Sequence, residues 1–476
     1  MRVSSLLYLP LLGSLTVLFV SGVGADDTIG AYRPSTWLHG VLLQSGPMIG
    51  HVSESTAAVW LRTKQGTTIT AQAVQGDARF PAARMQDLES GFRIVHFAGL
   101  RPAIATEVQL ELTREGFAPE KEQLSFRTAP APARVGKVRL AFGSCAKISQ
   151  YKVAPVFEAI ADERPDFSIF LGDYVYFIVA DGSDVHFRGT PIIGPVGDWN
   201  FYESMVARWL RTRNHPDLRR MQHTVPCYAV WDDHDYGPNN ADSLFELKEE
   251  AMRAFVQVWA NPAYGTAITP GIFSSFRHGP VEVFLMDDRY HKLSAQRNPE
   301  LTPETGRIWG EGQLRWLMKG LRASDAPVKV IANGTQFLSL SQSGEGHHQE
   351  ARAERSALLE FLAREKIGGV VILSGDRHFS EAMQQAQPGG TLVVDCTSSP
   401  LQQGQTVGPI ARPHPNQLWS MRGNSYGLVT IDLPREGEGS IRFEARDEHN
   451  QVPVVGGVPC ATTWQLDQLS YEKRNY

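Results

Sequence analysis

Four short segments of the sequence place side chains that bind metal ions directly after an apolar run. The densest is residues 231–235, Trp-Asp-Asp-His-Asp, which follows the run at 227–230. Such a run is typical of a buried strand. Carboxylates gathered at a strand end repel one another and lose hydration, so stability alone does not favour them. Because a cation of charge two or more offsets that repulsion, the segment indicates a metal site.

The other three segments have the same form, in which β-forming residues lead into a glycine and then into possible metal ligands. They are Gly-Ser-Cys at 143–145 after the run at 138–142, Gly-Asp-Tyr-Val-Tyr at 172–176 after 167–171, and Ser-Gly-Asp-Arg-His at 374–378 after 369–373. A glycine lets the backbone turn sharply and come close to a bound ion.

Helical patterns separate these strands, at residues 155–162, 242–259 and 311–323. Strands that alternate with helices predict an α/β sheet, and ligands bind such sheets beyond the carboxyl ends of the strands. The four strand ends are therefore expected to meet in one place. They would present seven candidate side chains there: Cys145, Asp173, Tyr176, Asp233, His234, Asp376 and His378.

Taken together, the four segments resemble the calcineurin-like metallophosphoesterases, and within that group the PhoD-like alkaline phosphatase D family, which is related to the purple acid phosphatases. The resemblance covers roughly residues 135–430. It implies a metallophosphatase-type α/β fold, a double β-sheet sandwich flanked by helices. It also implies a hydrolase acting on phosphoric ester bonds.

The resemblance further implies two metal ions. The first, Fe(3+), would be held by Cys145, Asp173, Tyr176 and His378, and the second, Ca(2+), by Asp173, Asp233 and Asp376. Zinc, manganese and magnesium are alternatives. Carboxylates stand at 233 and 376 where relatives carry Asn and His, which favours a hard ion at the second position.

His234 is implied to be the catalytic imidazole, which stabilises phosphate charge or protonates the leaving oxygen, with Asp235 orienting it. Asn333 and Asp232 are secondary candidates for metal binding. Arg289 is interpreted either as a phosphate clamp or as a structural ion-pair partner.

Several candidates also have a plain structural interpretation. Cys145 could be a buried structural cysteine, because that is the usual environment of a lone thiol. Tyr176 could be a core tyrosine beside an Asp173 that caps a helix. An isolated histidine such as His378 is more often structural than a ligand.

The N-terminal part of the chain carries no such cluster. Short alternating runs between residues 41 and 128 predict a small all-β, fibronectin-III-like domain, which a Pro/Ala-rich stretch at 126–133 would close. The predicted divisions are a signal peptide at 1–25, the β-sandwich domain at 26–130 and the catalytic domain at 131–476.

Composition and targeting signals restrict the class of protein. The 476 residues are 42% hydrophobic and 20% charged with a net charge of −5, which is typical of a globular chain, and no basic run indicates nucleic-acid binding. Residues 1–25 have the form of a Sec-type signal peptide, which predicts a secreted or periplasmic protein, with an uncleaved anchor as the alternative. No other stretch is long and apolar enough to span a membrane. The sequence leaves the oligomeric state open.

The sequence therefore predicts an exported enzyme that hydrolyses phosphate monoesters through attack of a metal-activated hydroxide on phosphorus. Its substrate would be a small-molecule or lipid phosphate ester. A phosphodiesterase or phospholipase-D-like enzyme with the same metal site is the first alternative. The second is a non-catalytic exported binding protein, in which the β-domain is the working part.

Overall fold

A computed structural model describes residues 40–151, 153–179, 185–187, 197–341, 344–410 and 414–471 of the chain. The predicted signal peptide lies outside these residues. Among them, short 3-10 turns occur at Glu89–Gly91, Ile148–Gln150, Asp198–Asn200 and Leu466–Leu469.

The first part of the described chain contains strands only, and we call strands β1 to β8 the N-terminal sandwich. The strands are β1 (Leu43–Val52), β2 (Thr56–Thr63), β3 (Thr68–Gln75), β4 (Ala78–Pro81), β5 (Arg84–Asp87), β6 (Phe92–Ala98), β7 (Ala105–Thr113) and β8 (Glu120–Arg127). They form two four-stranded sheets, in the orders β1-β2-β6-β5 and β4-β3-β7-β8. Along β7 every second side chain is buried, as expected for a strand with one face in a core. The prediction of an all-β N-terminal region is confirmed.

The remaining strands belong to the α/β part of the chain. They are β9 (Gly136–Gly143), β10 (Phe167–Leu171), β11 (Cys227–Val230), β12 (Ser274–His278), β13 (Val281–Leu285), β14 (Val328–Ala332), β15 (Val370–Ser374), β16 (Ser380–Ala386), β17 (Leu392–Thr397), β18 (Gly408–Pro409), β19 (Gln417–Arg422), β20 (Tyr426–Leu433), β21 (Ser440–Arg446), β22 (Val454–Val455), β23 (Val458–Pro459) and β24 (Ala461–Gln465).

The helices all follow β9 along the described chain. They are α1 (Pro155–Glu163), α2 (Tyr202–Arg213), α3 (Pro216–Thr224), α4 (Asp233–Tyr236), α5 (Lys248–Val258), α6 (Gly310–Ala323), α7 (His347–Glu350) and α8 (Arg352–Arg364). Of the helices so described, none is long and apolar enough to cross a membrane.

Two large mixed sheets and a two-stranded ribbon of β22 and β23 make up the α/β part that the structure describes. One has six strands in the order β11-β10-β9-β20-β21-β24, and the other has eight in the order β12-β13-β14-β15-β17-β16-β19-β18. Strands β9, β10 and β11 run parallel, as do β13, β14, β15 and β17. The carboxyl ends of parallel strands share one edge of a sheet, so each sheet brings several loop beginnings together there.

The two sheets share one core, and helices cover their other faces. Val330 and Ile331 are successive residues of β14, yet Val330 packs in the core common to both sheets and Ile331 packs beneath α6 and α8. Trp419 of β19 stacks on Phe443 of β21 at 5.2 Å between ring centroids, which joins the sheets directly. The predicted metallophosphatase-type double sheet is confirmed.

One predicted helix begins later than expected. Residues 242–247 form turns rather than the start of the helix predicted at 242–259, which is observed as α5. The Asp242 carboxylate accepts a hydrogen bond from the backbone N–H of Leu244 at 2.9 Å, and such a local bond competes with helix formation.

The N-terminal sandwich packs closely on the α/β part. Met48 and Trp60 belong to the same apolar cluster as the six-stranded sheet, and the Trp60 indole N–H donates to the Gln257 carbonyl at 2.7 Å. The guanidinium of Arg213 lies 4.5 Å from the Trp60 ring and 4.4 Å from the Trp259 ring. The contact is therefore part of the core and not a loose surface junction.

Candidate metal centre

Four of the predicted ligands share an unusual backbone conformation. The φ angle is +58° at Cys145, +53° at Asp173, +69° at Asp376 and +54° at His378. Residues with a Cβ atom rarely adopt this left-handed region, which costs about 1–2 kcal/mol per residue. Strain of this kind is concentrated at functional sites, where it directs side chains toward a common point.

Asp173, which follows β10, lies at the centre of the cluster. Its Oδ2 accepts from the Cys145 thiol at 3.4 Å and from the Tyr176 hydroxyl at 3.1 Å, and its Oδ1 accepts from the backbone N–H of His234 at 3.4 Å. Ligand atoms of Cys145, Asp173 and His378 lie within 4.8 Å of one another, as do those of Asp173, Asp233 and His234. The carboxylate of Asp173 is common to both groups.

The electrostatics of the cluster fit a bound cation. Burial, with added repulsion from Cys145 and Asp233, raises the pKa of Asp173 well above its usual range. Burial first, and then the Asp173 charge, raises the pKa of Tyr176, while burial and Asp376 raise that of Cys145 to about 12. A divalent or trivalent ion would stabilise the anionic form of all three. Thiol, phenol, carboxylate and imidazole together form a donor set for transition metals.

Gln403 is a member of the site that the sequence analysis missed. Its side-chain amide lies 2.7 Å from the Tyr176 hydroxyl and 2.9 Å from Nε2 of His378, so it links two predicted ligands. His378 is exposed, which places this side of the cluster at the opening to solvent. The only available signal was the position of Gln403 in a polar run after the apolar strand β17 and a Ser-Ser-Pro turn.

Asp233 is held by backbone donors at both oxygens. Oδ1 accepts from the His234 N–H at 2.9 Å and Oδ2 from the Asn240 N–H at 2.5 Å. Burial acts to raise its pKa, but the positive charges of His234 and Arg289 hold it below the usual range. The lowered pKa keeps Asp233 anionic beside the Asp173 carboxylate.

The His234 ring lies 4.2 Å from the Tyr176 ring, between centroids.

Asp235 joins the two backbone turns that carry the predicted ligands. Its carboxylate accepts from the backbone N–H groups of Asp173 at 2.5 Å, Val175 at 2.9 Å and Asp232 at 3.0 Å. These bonds fix the turns after β10 and β11 against each other. That Asp235 also orients the His234 ring stays a prediction.

A buried network of opposite charges lies behind the cluster. Arg289 forms an ion pair with Asp232, with Nε 2.5 Å from Oδ1, and a second with Glu345 at 2.7 Å. Lys292 lies 2.8 Å from the same Glu345 and 3.0 Å from Glu350. Of the two interpretations of Arg289, the geometry favours the ion-pair partner, because the guanidinium is completely buried.

The secondary candidates lie around this centre. Asp232 faces Arg289, although its Oδ2 is buried without a hydrogen-bond partner among the described residues. The Asn333 amide oxygen accepts from the Trp309 indole N–H at 2.9 Å, and its NH₂ donates to the Thr335 carbonyl. The Asn333 amide is thus occupied by the protein, whereas Asp232 is occupied at Oδ1 only.

Asp376 reaches the centre from the other sheet. Its backbone N–H donates to the Ser144 hydroxyl at 3.1 Å, next to Cys145. Burial, with repulsion from Glu345 and Asp233, raises its pKa to about 6. Its carboxylate is outside the two tight groups of ligand atoms found among the described residues but within their electrostatic field.

Comparison with known proteins supports the same fold. A family model described as PhoD-like phosphatase matches residues 140–450, and a model described as a domain of unknown function (DUF7800) matches residues 41–130. A curated relative, alkaline phosphatase D of Bacillus subtilis (strain 168), is 24% identical over an alignment of 333 residues that covers 59% of this chain and 55% of that protein. The match spans little more than half of the relative's length.

Two solved structures share the fold at low sequence identity. A structure of PhoD superposes with a TM-score of 0.69 at 16% identity, covering 92% of each chain. The purple acid phosphatase PPD1 from yellow lupin (Lupinus luteus) seeds gives a TM-score of 0.58 at 13% identity, covering 88% of this chain and 73% of the other.

Proposed function

Because the chain belongs to the PhoD-like phosphatase family, we propose that it is an exported, metal-dependent phosphoesterase that hydrolyses phosphate monoesters. The observation that carries this proposal is the cluster around Asp173, in which a thiol, a phenol, an imidazole and a second carboxylate surround one buried carboxylate. Its neighbours disfavour the charged form of that carboxylate, and a metal ion would restore it.

The residues divide into two proposed ligand sets. Cys145, Asp173, Tyr176 and His378 would hold the first ion, for which we propose Fe(3+), since thiolate and phenolate suit it. Asp173, Asp233 and Asp376 would hold the second, for which we propose Ca(2+), with zinc, manganese or magnesium as alternatives. Bound ions of this kind lower the pKa of water and neutralise the charge that develops on a transferred phosphoryl group.

The protein's own side chains position the substrate and move protons. The His234 imidazole lies beside Tyr176 and Asp173, where we propose that a ring nitrogen protonates the leaving oxygen. Arg289 and Asp235 position the proposed ligands without contacting the substrate. Arg289 pairs with Asp232, and Asp235 fixes the turns that carry Asp173 and Asp233. The substrate would enter past His378, which is exposed.

A phosphodiesterase is the second candidate function. A cavity of about 740 Å³ opens beside His378 and offers room for a second esterified group or for part of a lipid. Export rests on the sequence pattern of residues 1–25 alone.

Metal analysis combined with a substrate panel tests the proposal. We expect purified protein to contain at least one tightly bound metal ion and to release phosphate from 4-nitrophenyl phosphate faster than it cleaves bis(4-nitrophenyl) phosphate. Exhaustive chelation should abolish both activities, and readdition of iron with calcium should restore them. Faster diester cleavage would favour the phosphodiesterase, whereas full activity after chelation would contradict a metal-dependent reaction. If neither ester is cleaved and Asp173→Asn leaves the protein's binding function intact, the non-catalytic binding protein is favoured.

A further inference from the structure

The cavity beside His378 has a composition that the proposed hydrolysis does not require. Arg377 and Arg422 line it, and no carboxylate is among the described residues of its wall. The whole chain carries a net charge of −5, so a wall with two arginines is a local departure from the surface average, although the Asp376 carboxylate lies 3.9 Å from Arg377. Phe379, Pro409 and Ile410 add apolar surface between the two arginines.

Arg377 is fixed before any ligand binds. Its guanidinium donates to the Glu345 carbonyl at 3.1 Å and lies 5.7 Å from the Phe379 ring. Gly344, with φ +77°, allows this arrangement, because a Cβ atom there would overlap the guanidinium. A guanidinium held in this way loses little conformational entropy when it contacts an anion.

Arg422 is placed by strand pairing and faces solvent. It ends β19 opposite Gly408 of β18, and a Cβ atom at Gly408 would lie only 3.0 Å from its Nε. Its side chain is exposed, and no ion pair of Arg422 is found within the described part of the chain. Its charge is therefore available to a ligand in the cavity.

The cavity adjoins the candidate metal centre. Gln403 bridges Tyr176 and His378, and the next residues, Gly404 and Gln405, form part of the cavity wall. A phosphate at the centre would thus project its ester group past His378 toward the two arginines.

We propose that this cavity binds an anionic group, a carboxylate or a second phosphate, on the alcohol portion of the substrate. The inference rests on the proposed function, and it names the substrate class as phosphate esters whose leaving alcohol is itself negatively charged. Arg422 acts as a specificity-determining contact and Arg377 as its fixed partner, since charge-assisted contacts from guanidinium groups suit both kinds of anion.

A matched pair of substrates tests the proposal. Glucitol 6-phosphate and 6-phosphogluconate differ only at C1, which is a hydroxymethyl group in the first and a carboxylate in the second. We expect kcat/KM to be at least about fivefold higher for 6-phosphogluconate, the size typical of a partly solvated charged contact. Arg422→Gln should reduce the preference to within about twofold, through a larger loss of kcat/KM for 6-phosphogluconate than for glucitol 6-phosphate. Arg315→Gln, on the exposed face of α6, is the matched control and should keep the preference.

A binding measurement tests the anion-binding cavity separately from the proposed phosphoesterase function. Saturation-transfer NMR should detect gluconate but not glucitol on the parent protein, and the gluconate signal should weaken in Arg422→Gln. Equal kcat/KM for the two esters, or a preference that survives Arg422→Gln, would overturn the inference and leave the proposed function standing. Absence of phosphate release from every ester by metal-loaded protein would instead contradict the proposed function.

Discussion

At the scale of single residues, the account depends on Asp173. It is 2% exposed, receives hydrogen bonds from Cys145 and Tyr176, and lies close to Asp233. Burying a carboxylate among other acidic groups without a cation is costly, so its placement is explained by a site that receives positive charge.

Removing the Asp173 charge tests this interpretation. We expect Asp173→Asn to lower phosphatase kcat/KM by more than about 100-fold and to reduce metal content, because loss of groups that only support a ligand already costs about 10–100-fold. The metal-free form should unfold within about 1 kcal/mol of the parent, since the amide has the same shape. Asp166→Asn, at the opposite end of β10, is the control and should retain metal and activity.

Arg289 provides a second test at this scale. We expect Arg289→Met to lower the free energy of unfolding by about 3–5 kcal/mol, because Asp232 would be left as a buried, uncompensated charge and Glu345 would lose one of its ion-pair partners. Urea denaturation measures the change. Arg322→Met removes an exposed ion pair with Glu365 and should cost less than about 1 kcal/mol. Similar losses in the two variants would show that the buried network does not stabilise the site.

At the scale of secondary structure, the strand ends bring the site together. Gly172 follows β10 with φ +88°, and a Cβ atom there would overlap Asp232 at the end of β11. The close approach of these two turns places Asp173 beside Asp233. The glycine before the predicted ligand is therefore required by packing as well as by backbone conformation.

A methyl group at Gly172 should separate the two strand ends. We expect Gly172→Ala to destabilise the protein by at least about 3 kcal/mol and to lower activity, since the overlap adds to the strained φ angle. Gly76→Ala has a similar positive φ but open space around it, so it should cost only about 1 kcal/mol. A comparable, small loss in both variants, measured by thermal unfolding and phosphate release, would contradict the packing argument.

Much of the secondary structure could be predicted from the sequence. The predicted apolar runs at 167–171 and 227–230 correspond to β10 and β11 residue for residue, because strands buried on both faces give predominantly apolar runs with clear ends. Short or polar elements such as β18 and α3 were not predicted, since their formation depends on distant partners. The same limit explains Gln403 and the cavity arginines, which become neighbours of the centre only through sheet pairing and loop packing.

At the scale of the whole molecule, the N-terminal sandwich is joined to the α/β part through a continuous core. His51 of β1 lies with Tyr228, Phe276 and Phe167 in an aromatic group that also contacts His278. The division of the chain at residue 130 stays a prediction, because the core does not separate there. Sequence patterns reveal separate strand sets but not the apolar surface that they share.

Two histidines at this contact, the buried His278 and the partly buried His51, make stability depend on pH. Burial lowers the pKa of His51 to about 4, with help from His278, and lowers that of His278 to about 4. Between pH 6.5 and 4 the unfolded chain binds more protons at these sites than the folded protein. Stability is therefore lost as the pH falls through this window, by up to about 3 kcal/mol for each histidine.

We expect His278→Leu to lose less stability on acidification than the parent. Urea unfolding of metal-free protein between pH 7.5 and 4.5 measures the free energy of unfolding of both proteins. On acidification over this range, the variant should gain roughly 2–3 kcal/mol in stability relative to the parent. Phe276→Leu alters the same aromatic group without a titrating side chain and should shift stability by a constant amount. If the stability difference between His278→Leu and the parent did not change with pH, His278 would not be a cause of the loss of stability in acid.

The central claim is the proposal that Cys145, Asp173, Tyr176 and His378, together with Asp233 and Asp376, hold the metal ions used for phosphate ester hydrolysis. Anomalous diffraction from crystals of active protein, collected at the absorption edges of the bound metals, tests it most directly. We predict one peak enclosed by the Cys145, Asp173, Tyr176 and His378 side chains and a second between Asp173 and Asp233. Active crystals with no anomalous peak at the Asp173 carboxylate, or with peaks only elsewhere, would contradict the account.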